Sequence, residues 1–331
     1  MMTKKGLALV MVNAEYITQL KLPSCKKDGL DIEKALEYLN FDVISGSDLT
    51  RADMYELISR FIDEAKSYST ILVYYSGHGV QIDGENYFVP IECKYNSTKK
   101  LFIDTQLVGI KSLTDFMADN PCKTNIMILD ACRSTIGFSK DIVGTGLAEV
   151  NAGSGTIIAF ATAPNKSASA VDSEEDNSIY TKCLLSHIIS PNVKIEDMFK
   201  AVRQDVIDIT AGEQVPWENT SLKQDFYFNT MTQDEVNEQI YQCIRDGYSA
   251  EILIILSKIT RKTISDLMRI HTIQKSEKPG GIYFENAEEM EVFILQQILE
   301  LGFEFRNYRW CYKGTPVHMG EFLHNPDNIS T

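Results

Sequence analysis

Two tetrapeptides in this sequence carry the side chains of nucleophilic catalysis. Ser76-Gly77-His78-Gly79 offers an imidazole between glycines, and Asp130-Ala131-Cys132-Arg133 offers a thiol. Side by side, the two groups are the minimum for acyl transfer, because a histidine takes the thiol proton and later supplies one to the leaving group. Either motif alone is weak: a cysteine at a strand end is ordinarily a small buried hydrophobe, and a histidine among glycines is ordinarily a turn residue. Their flanks join them. Each follows a short apolar run, residues 70–75 and 125–129, that reads as a buried strand. Open α/β sheets place their chemistry at the carboxyl edge of such strands. If the two strands are parallel neighbours, His78 and Cys132 emerge at one edge within reach of each other.

The elements that must position them follow in order. Residues 6–13 read as a first buried strand. Residues 28–39 space Leu30, Ala35, Leu36 and Leu39 for the inner face of a helix, and residues 42–45 form a short second strand. Thr50 is a good N-cap for the next helix, with Asp53 as its capping-box acid and Tyr55, Ile58, Phe61, Ile62 and Ala65 at helical spacing. Strands alternating with helices imply parallel pairing and a sheet covered on both faces. Beyond Gly79, two alternating runs around Asp83-Gly84 predict a hairpin over residues 80–90. A helix over 110–118, the strand that ends at Cys132 and a polar loop from Arg133 to Ser154 come next. Residues 156–162 make another strand, followed by an acidic loop, 163–177, with Asp172, Glu174, Glu175 and Asp176. Helices over 178–189 and 195–209 and a last strand over 224–228 close this domain near Asn229. The rest, 231–331, reads as a smaller mixed, mainly helical domain, with a helical pattern over 236–271 and a break at Pro279-Gly280-Gly281.

Composition narrows the function. The chain has 331 residues, 44% hydrophobic and 24% charged, which suits one large globular domain and a smaller one. A net charge of −14 excludes a general nucleic-acid binder. Seven cysteines without a Cys-x-x-Cys pair suggest neither a disulfide framework nor a zinc knuckle. Cys311, His318 and His324 lack the close-spaced pairs of a metal site and read as scattered residues, so no metal is expected. The apolar run at residues 7–12 is too brief for a signal peptide, and no stretch reaches the roughly 20 apolar residues of a membrane span. No membrane contact and a cytoplasmic location are expected.

Both motifs, in this order and strand context, resemble the caspase superfamily of cysteine endopeptidases, and within it the paracaspase and metacaspase branches and their bacterial relatives. The resemblance covers roughly residues 5–229. It implies a three-layer caspase-like sandwich with a mostly parallel central sheet flanked by helices. It makes residues 1–230 the peptidase domain, large-subunit-like over about 1–135 and small-subunit-like over about 154–230. By the same resemblance Cys132 is the nucleophile, His78 the general base and acid, and the N–H groups of Gly79 and Cys132 the oxyanion hole. Glycine after the histidine agrees with this, since it leaves room for a substrate carbonyl to approach the backbone.

Specificity is legible in the departures from caspases. Aspartate-cutting caspases carry Gln before Ala-Cys and line the primary pocket with arginines. Here Asp130 precedes Ala131, Leu22 falls where the first pocket arginine would stand, and the Ser-Trp-Arg segment is absent. Asp28, thirteen residues before Phe41 at the start of the first helix, matches the spacing of the acidic pocket residue of paracaspases. A pocket lined by two carboxylates favours a cation, and guanidinium binds them in bidentate fashion. Cleavage after arginine, with lysine weaker, is therefore expected. Asp172 is the candidate third pocket acid, on a loop two residues longer than in paracaspases. The plainer alternatives are a helix N-cap for Asp28 and a solvated acid for Asp172. Trp217 either shapes the substrate groove or packs in the core.

Regulation is read the same way. In the loop after Cys132, Lys140 is the one candidate self-cleavage site. The acids at 172 and 174–176 are the only candidate calcium ligands, but uncut, calcium-independent activity is expected, hence no cofactor. The partners implied are a protein substrate with a basic residue at the cleavage site, a regulatory protein or ligand at the C-terminal domain, and a second copy of the chain across the last strand. Two rival readings are a catalytically silent scaffold acting by protein–protein contact and an enzyme of the gingipain or legumain type. A small-amide hydrolase is a third, with no pocket motif to support it.

Overall fold

The computed structural model describes residues 5–18, 20–82, 84–94, 106–119, 124–132, 143–144, 153–162, 173, 176–230, 232, 303–306, 309–312 and 315–316. For Cys132, for 143–144 and from 303 onward this covers the backbone alone. The chain separates into two compact units. Residues 1–189 and 194–226 form the first, residues 190–193 and 227–331 the second.

Apolar β-branched runs build the first unit. Strands β1 (Gly6–Val12), β2 (Phe41–Ser47), β3 (Thr70–Ile82), β6 (Thr124–Cys132) and β8 (Thr156–Phe160) pair in parallel in the order β2-β1-β3-β6-β8. Strand β9 (Trp217–Thr220) closes one edge antiparallel to β8. Among the described residues β4 (Glu85–Phe88), β5 (Val108–Gly109) and β7 (Val143–Gly144) extend this sheet beyond the far end of β3. Every residue of β1 is buried, as expected of a strand covered on both faces.

Helices α1 (Ser24–Tyr38), α2 (Arg51–Ala65), α3 (Lys111–Asp119), α4 (Ile179–Ile188) and α5 (Ile195–Ile209) supply the cover. Met54, Ile58, Phe61 and Ala65 of α2 and Leu113 and Met117 of α3 join Leu7, Leu9, Met11, Val73, Met127 and Leu129 in one core cluster. On the other face α1 lies close enough that a Cβ on Gly29 would sit 2.8 Å from Val12. There Tyr74 of β3 hydrogen-bonds Thr181 of α4 at 2.6 Å. The three-layer arrangement expected from the sequence is this one.

Several local expectations hold and others are corrected. The capping box forms, with Asp53 N–H donating to Thr50 Oγ1 at 3.2 Å and Thr50 N–H to Asp53 Oδ2 at 3.0 Å. The hairpin over 80–90 forms as β3 and β4, turning at Gly84 with φ +85°. However, β3 does not end before the His78 motif. It runs through Gly77, His78 and Gly79 to Ile82, because β6 pairs it as far as His78 and β4 takes over from Gly79. The first helix starts at Ser24, which rotates Leu30 outward to 58% exposure and turns Cys25, Asp28, Gly29, Ile32 and Leu36 inward. Tyr55, placed inside by spacing, lies 40% exposed beside the Arg51 guanidinium. The last strand is Trp217–Thr220, not residues 224–228. Ser221 turns the chain by donating its N–H to Thr156, and the Phe226 carbonyl instead accepts from Ile195 at the start of α5.

In the second unit the described backbone contains a three-stranded antiparallel sheet, Phe303–Arg306, Arg309–Tyr312 and Thr315–Pro316. The helical pattern over 236–271, His318 and His324 lie outside the described residues. No described helix is long and apolar enough to cross a membrane.

One buried side chain ties the strand ends together. The Asn13 amide donates to the Val89 carbonyl at 2.9 Å and accepts the Leu49 N–H at 2.7 Å. Asn13→Ala would strand both backbone groups away from water, at about 1–3 kcal/mol for each orphaned group. A loss of at least about 2 kcal/mol in urea unfolding is expected on that basis.

Candidate active site

The register between β3 and β6 decides what meets at the sheet edge. Ser76 pairs with Asp130, Gly77 with Ala131 and His78 with Cys132. Neighbouring strands lie about 4.8 Å apart, so the two motifs read from the sequence face each other rung by rung. The Cys132 side chain lies outside the described part of the structure. Its backbone ends β6 opposite His78.

His78 is 4% exposed and held on several sides. Its Nε2 lies 2.7 Å from the carbonyl of Leu20, in the segment between β1 and α1. A carbonyl only accepts, so Nε2 carries the proton and the lone pair of the neutral ring sits on Nδ1. Burial lowers the imidazole pKa below 6.5, opposed in part by the Leu20 carbonyl. At neutral pH the ring is therefore uncharged and fit to accept a proton. The segment supplying Leu20 is itself anchored. Asp48 Oδ1 accepts the N–H groups of Ala14 and Glu15 at 2.9 and 2.8 Å, and Thr18 donates to the Cys93 carbonyl at 2.6 Å. Leu20 and Tyr16, whose ring packs 4.4 Å from the imidazole, were invisible to motif reading. Nothing in their types marks them, and only the fold brings them to His78.

Gly79 follows His78 in β3. Its N–H faces β6, because successive residues of a strand present their backbone groups to alternate sides. The His78 N–H and carbonyl both face the β1 side, where Tyr16 and Val89 meet them.

The two acids expected to line a substrate pocket come together. Asp28, on the inner face of α1, is 0% exposed, and Asp130 is 3% exposed. Asp28 Oδ1 accepts from Asn177 Nδ2 at 3.1 Å and from the Ser178 N–H at 2.9 Å, and its Oδ2 accepts from Ser76 Oγ at 3.2 Å. Asp130 Oδ2 accepts from the hydroxyls of Ser178 and Thr181, the latter at 2.8 Å. Ser178, the N-cap of α4, thus bridges the acids, its N–H on one and its hydroxyl on the other. The N-cap reading of Asp28 is excluded, since α1 starts a full turn earlier and the carboxylate points at α4. Burial first, and the Asp130 charge second, push Asp28 up to about 8; burial raises Asp130 as well. Two carboxyls this close do not both ionise readily, and near neutral pH the pair keeps a proton.

Leu22 is buried, leaving no cation at the position where an arginine would line an acid-binding pocket. Trp217 stacks on Phe160 with centroids 5.1 Å apart, which places it against the core. Asp172, Lys140, Glu174 and Glu175 lie outside the described residues. Among the described residues no group of three His, Cys, Asp or Glu is placed to hold a metal ion.

Comparison with known proteins agrees with this geometry. The caspase domain model matches residues 5–227. The human Mucosa-associated lymphoid tissue lymphoma translocation protein 1 is 25% identical over 230 residues, 67% of this chain and 26% of that protein. Its homolog in Mus musculus matches to the same extent. The chain thus spans about a quarter of the length of these curated relatives.

The buried acid pair should appear in the stability curve. The folded pKa of Asp28 lies above its unfolded value of 3.8, so the native state holds the extra proton between that value and about 8. Its contribution is complete below pH 4, falls as pH rises through this window and is gone above it. The slope is at most about 1.4 kcal/mol per pH unit for one proton. Asp28→Asn keeps the shape without the charge, and denaturant unfolding at pH 4.5, 6 and 8 should show a flatter decline than wild type.

Proposed function

Because the chain belongs to the caspase family of peptidases, we propose that it is a cysteine endopeptidase that cuts proteins after arginine, and less well after lysine. The observation that carries this reading is the single register that sets His78 opposite Cys132 and, two rungs back, Ser76 opposite Asp130 with Asp28 in reach. One pairing supports both the dyad and the pocket.

In this reading the Cys132 thiol gives its proton to His78 Nδ1, and the thiolate sulfur bonds to the substrate carbonyl carbon as the C=O electrons move onto oxygen. The N–H groups of Gly79 and Cys132 are assigned to that oxyanion. As the carbonyl re-forms, the C–N bond breaks and the imidazolium gives its proton to the departing amine. Water then attacks the thioester, His78 takes the water proton, and the acid product leaves with the thiol restored. The Leu20 carbonyl holds the ring in the tautomer that this sequence needs and stabilises the imidazolium when it forms.

The carboxyls of Asp28 and Asp130 are the proposed partners of the substrate guanidinium, which spans two acceptors where an ammonium makes a point contact. Both are buried, Asp28 against Asn177 and Ser178 and Asp130 against Ser178, and entry of the substrate side chain is proposed to move that segment aside. Asp172 is proposed as a third acid. A regulatory partner on residues 231–331 and pairing through the edge strand β9 complete the proposal, which invokes no cofactor.

Fluorogenic peptides varied at the residue before the scissile bond test it. Arginine should exceed lysine, aspartate should be inert, and Cys132→Ala should abolish all cleavage. Asp28→Asn or Asp130→Asn should lower arginine kcat/KM by at least about thirtyfold, the equivalent of about 2 kcal/mol for unpairing one charge. Cleavage after aspartate would refute the pocket while leaving the dyad.

A cation binds the ionised pair, so its binding expels the retained proton. The ratio of arginine to citrulline cleavage, in which the titration of the dyad cancels, should therefore rise from pH 6 to pH 8.5. A flat ratio would separate Asp28 and Asp130 from the bound side chain.

A further inference from the structure

Two buried phenols grip the peptide unit of His78 from both ends. The His78 N–H donates to the Tyr16 hydroxyl at 2.7 Å, and the Tyr75 hydroxyl donates to the His78 carbonyl at 2.8 Å. The two hydroxyls lie 3.4 Å apart. An N–H only donates and a carbonyl only accepts, which leaves one direction for the protons: His78 N–H to Tyr16 oxygen, Tyr16 O–H to Tyr75 oxygen, Tyr75 O–H to His78 carbonyl. The ring of bonds closes on a single residue. Both tyrosines are buried, where such a chain strengthens each of its bonds and an unpartnered hydroxyl would be costly.

The same ring accounts for the glycine before the histidine. A Cβ on Gly77 would fall 2.7 Å from each hydroxyl, so only glycine lets the two phenols meet there. Close approach is one reason for glycine here, and its φ of +157°, which residues with a side chain rarely adopt, is a second.

We infer that Tyr16 and Tyr75 are positioning residues for the dyad, holding the His78 backbone so that the imidazole stands where Cys132 needs a base. Tyr16 acts twice, once through its hydroxyl on the N–H and once through its ring against the imidazole. Tyr75 acts from the opposite face of the sheet, where its ring stacks on Phe88 with centroids 4.1 Å apart. Because a peptide unit is planar, fixing the His78 carbonyl also fixes the N–H of Gly79. This inference rests on the dyad proposed above and is indifferent to the pocket.

The test reads the dyad without requiring turnover. Iodoacetamide alkylation of Cys132, quantified on its own peptide by mass spectrometry across pH 4.5–9, reports how much thiolate the imidazole supports at low pH. Wild type should show a low-pH limb that His78→Ala removes; a profile that His78→Ala leaves unchanged would refute the dyad itself. Given the limb, Tyr16→Phe and Tyr75→Phe should each weaken it at least threefold and lower kcat about tenfold, the equivalent of about 1.4 kcal/mol, with KM little changed. Tyr68→Phe, which removes a hydrogen bond to Asp42 far from the dyad, should do neither. Phenylalanine variants that keep the wild-type limb and wild-type kcat would overturn the inference and leave the dyad standing.

Discussion

The pairing of β3 with β6 is the constraint on which the rest of this protein depends. A one-residue slip would turn every side chain of β3 to the opposite face of the sheet. It would take His78 from Cys132 and Ser76 from Asp130 in one step. The register is locked by burial on both faces, with Val73, Tyr75, Met127 and Leu129 in one core and Leu72, Tyr74, Ile126 and Ile128 buried as well. Hydrophobic packing along the strands thus sets the spacing of the proposed dyad at their ends, and the two cannot vary independently.

Against that apolar frame the acid pair is an expensive feature. Asp28 and Asp130 are taken out of water and set beside each other, an arrangement that favours the neutral form. The donors of Ser76, Asn177, Ser178 and Thr181 offset part of that penalty but supply no positive charge. A site that satisfies its carboxylates with neutral groups keeps them in place while leaving them short of a counter-ion. In the proposed reading, that penalty is what a bound cation would relieve.

Much of this was legible in the residues. The motifs at His78 and Cys132, the alternation of strands and helices, the capping box at Thr50 and the hairpin at Gly84 are all written in local sequence, because each depends on neighbours within a few positions. What the sequence hid depends on contacts across the fold. Leu20 acts through a backbone carbonyl, which every residue has, and Asn177 and Ser178 act across about 150 positions of chain on Asp28. The misread strand over 224–228 shows the opposite failure. Alternating aromatics imitate a strand, but the edge of β8 was already taken by Trp217–Thr220, and backbone pairing admits one occupant. The start of the first helix slipped by a turn because Pro23 and Ser24 carry a weaker signal than Asp28, and with it went the facing of Leu30.

The Leu20 segment and the hairpin arm of β3 are also fastened to each other, by Ile17 to Ile91 and Thr18 to Cys93. Arg51 N–H joins Glu92 to the head of α2, and Asn13 crosses to Val89 and Leu49. The imidazole therefore sits in a closed frame whose members brace one another from several directions, as the struts of a truss do. Load applied anywhere on that frame is shared, and little of it reaches the ring as displacement.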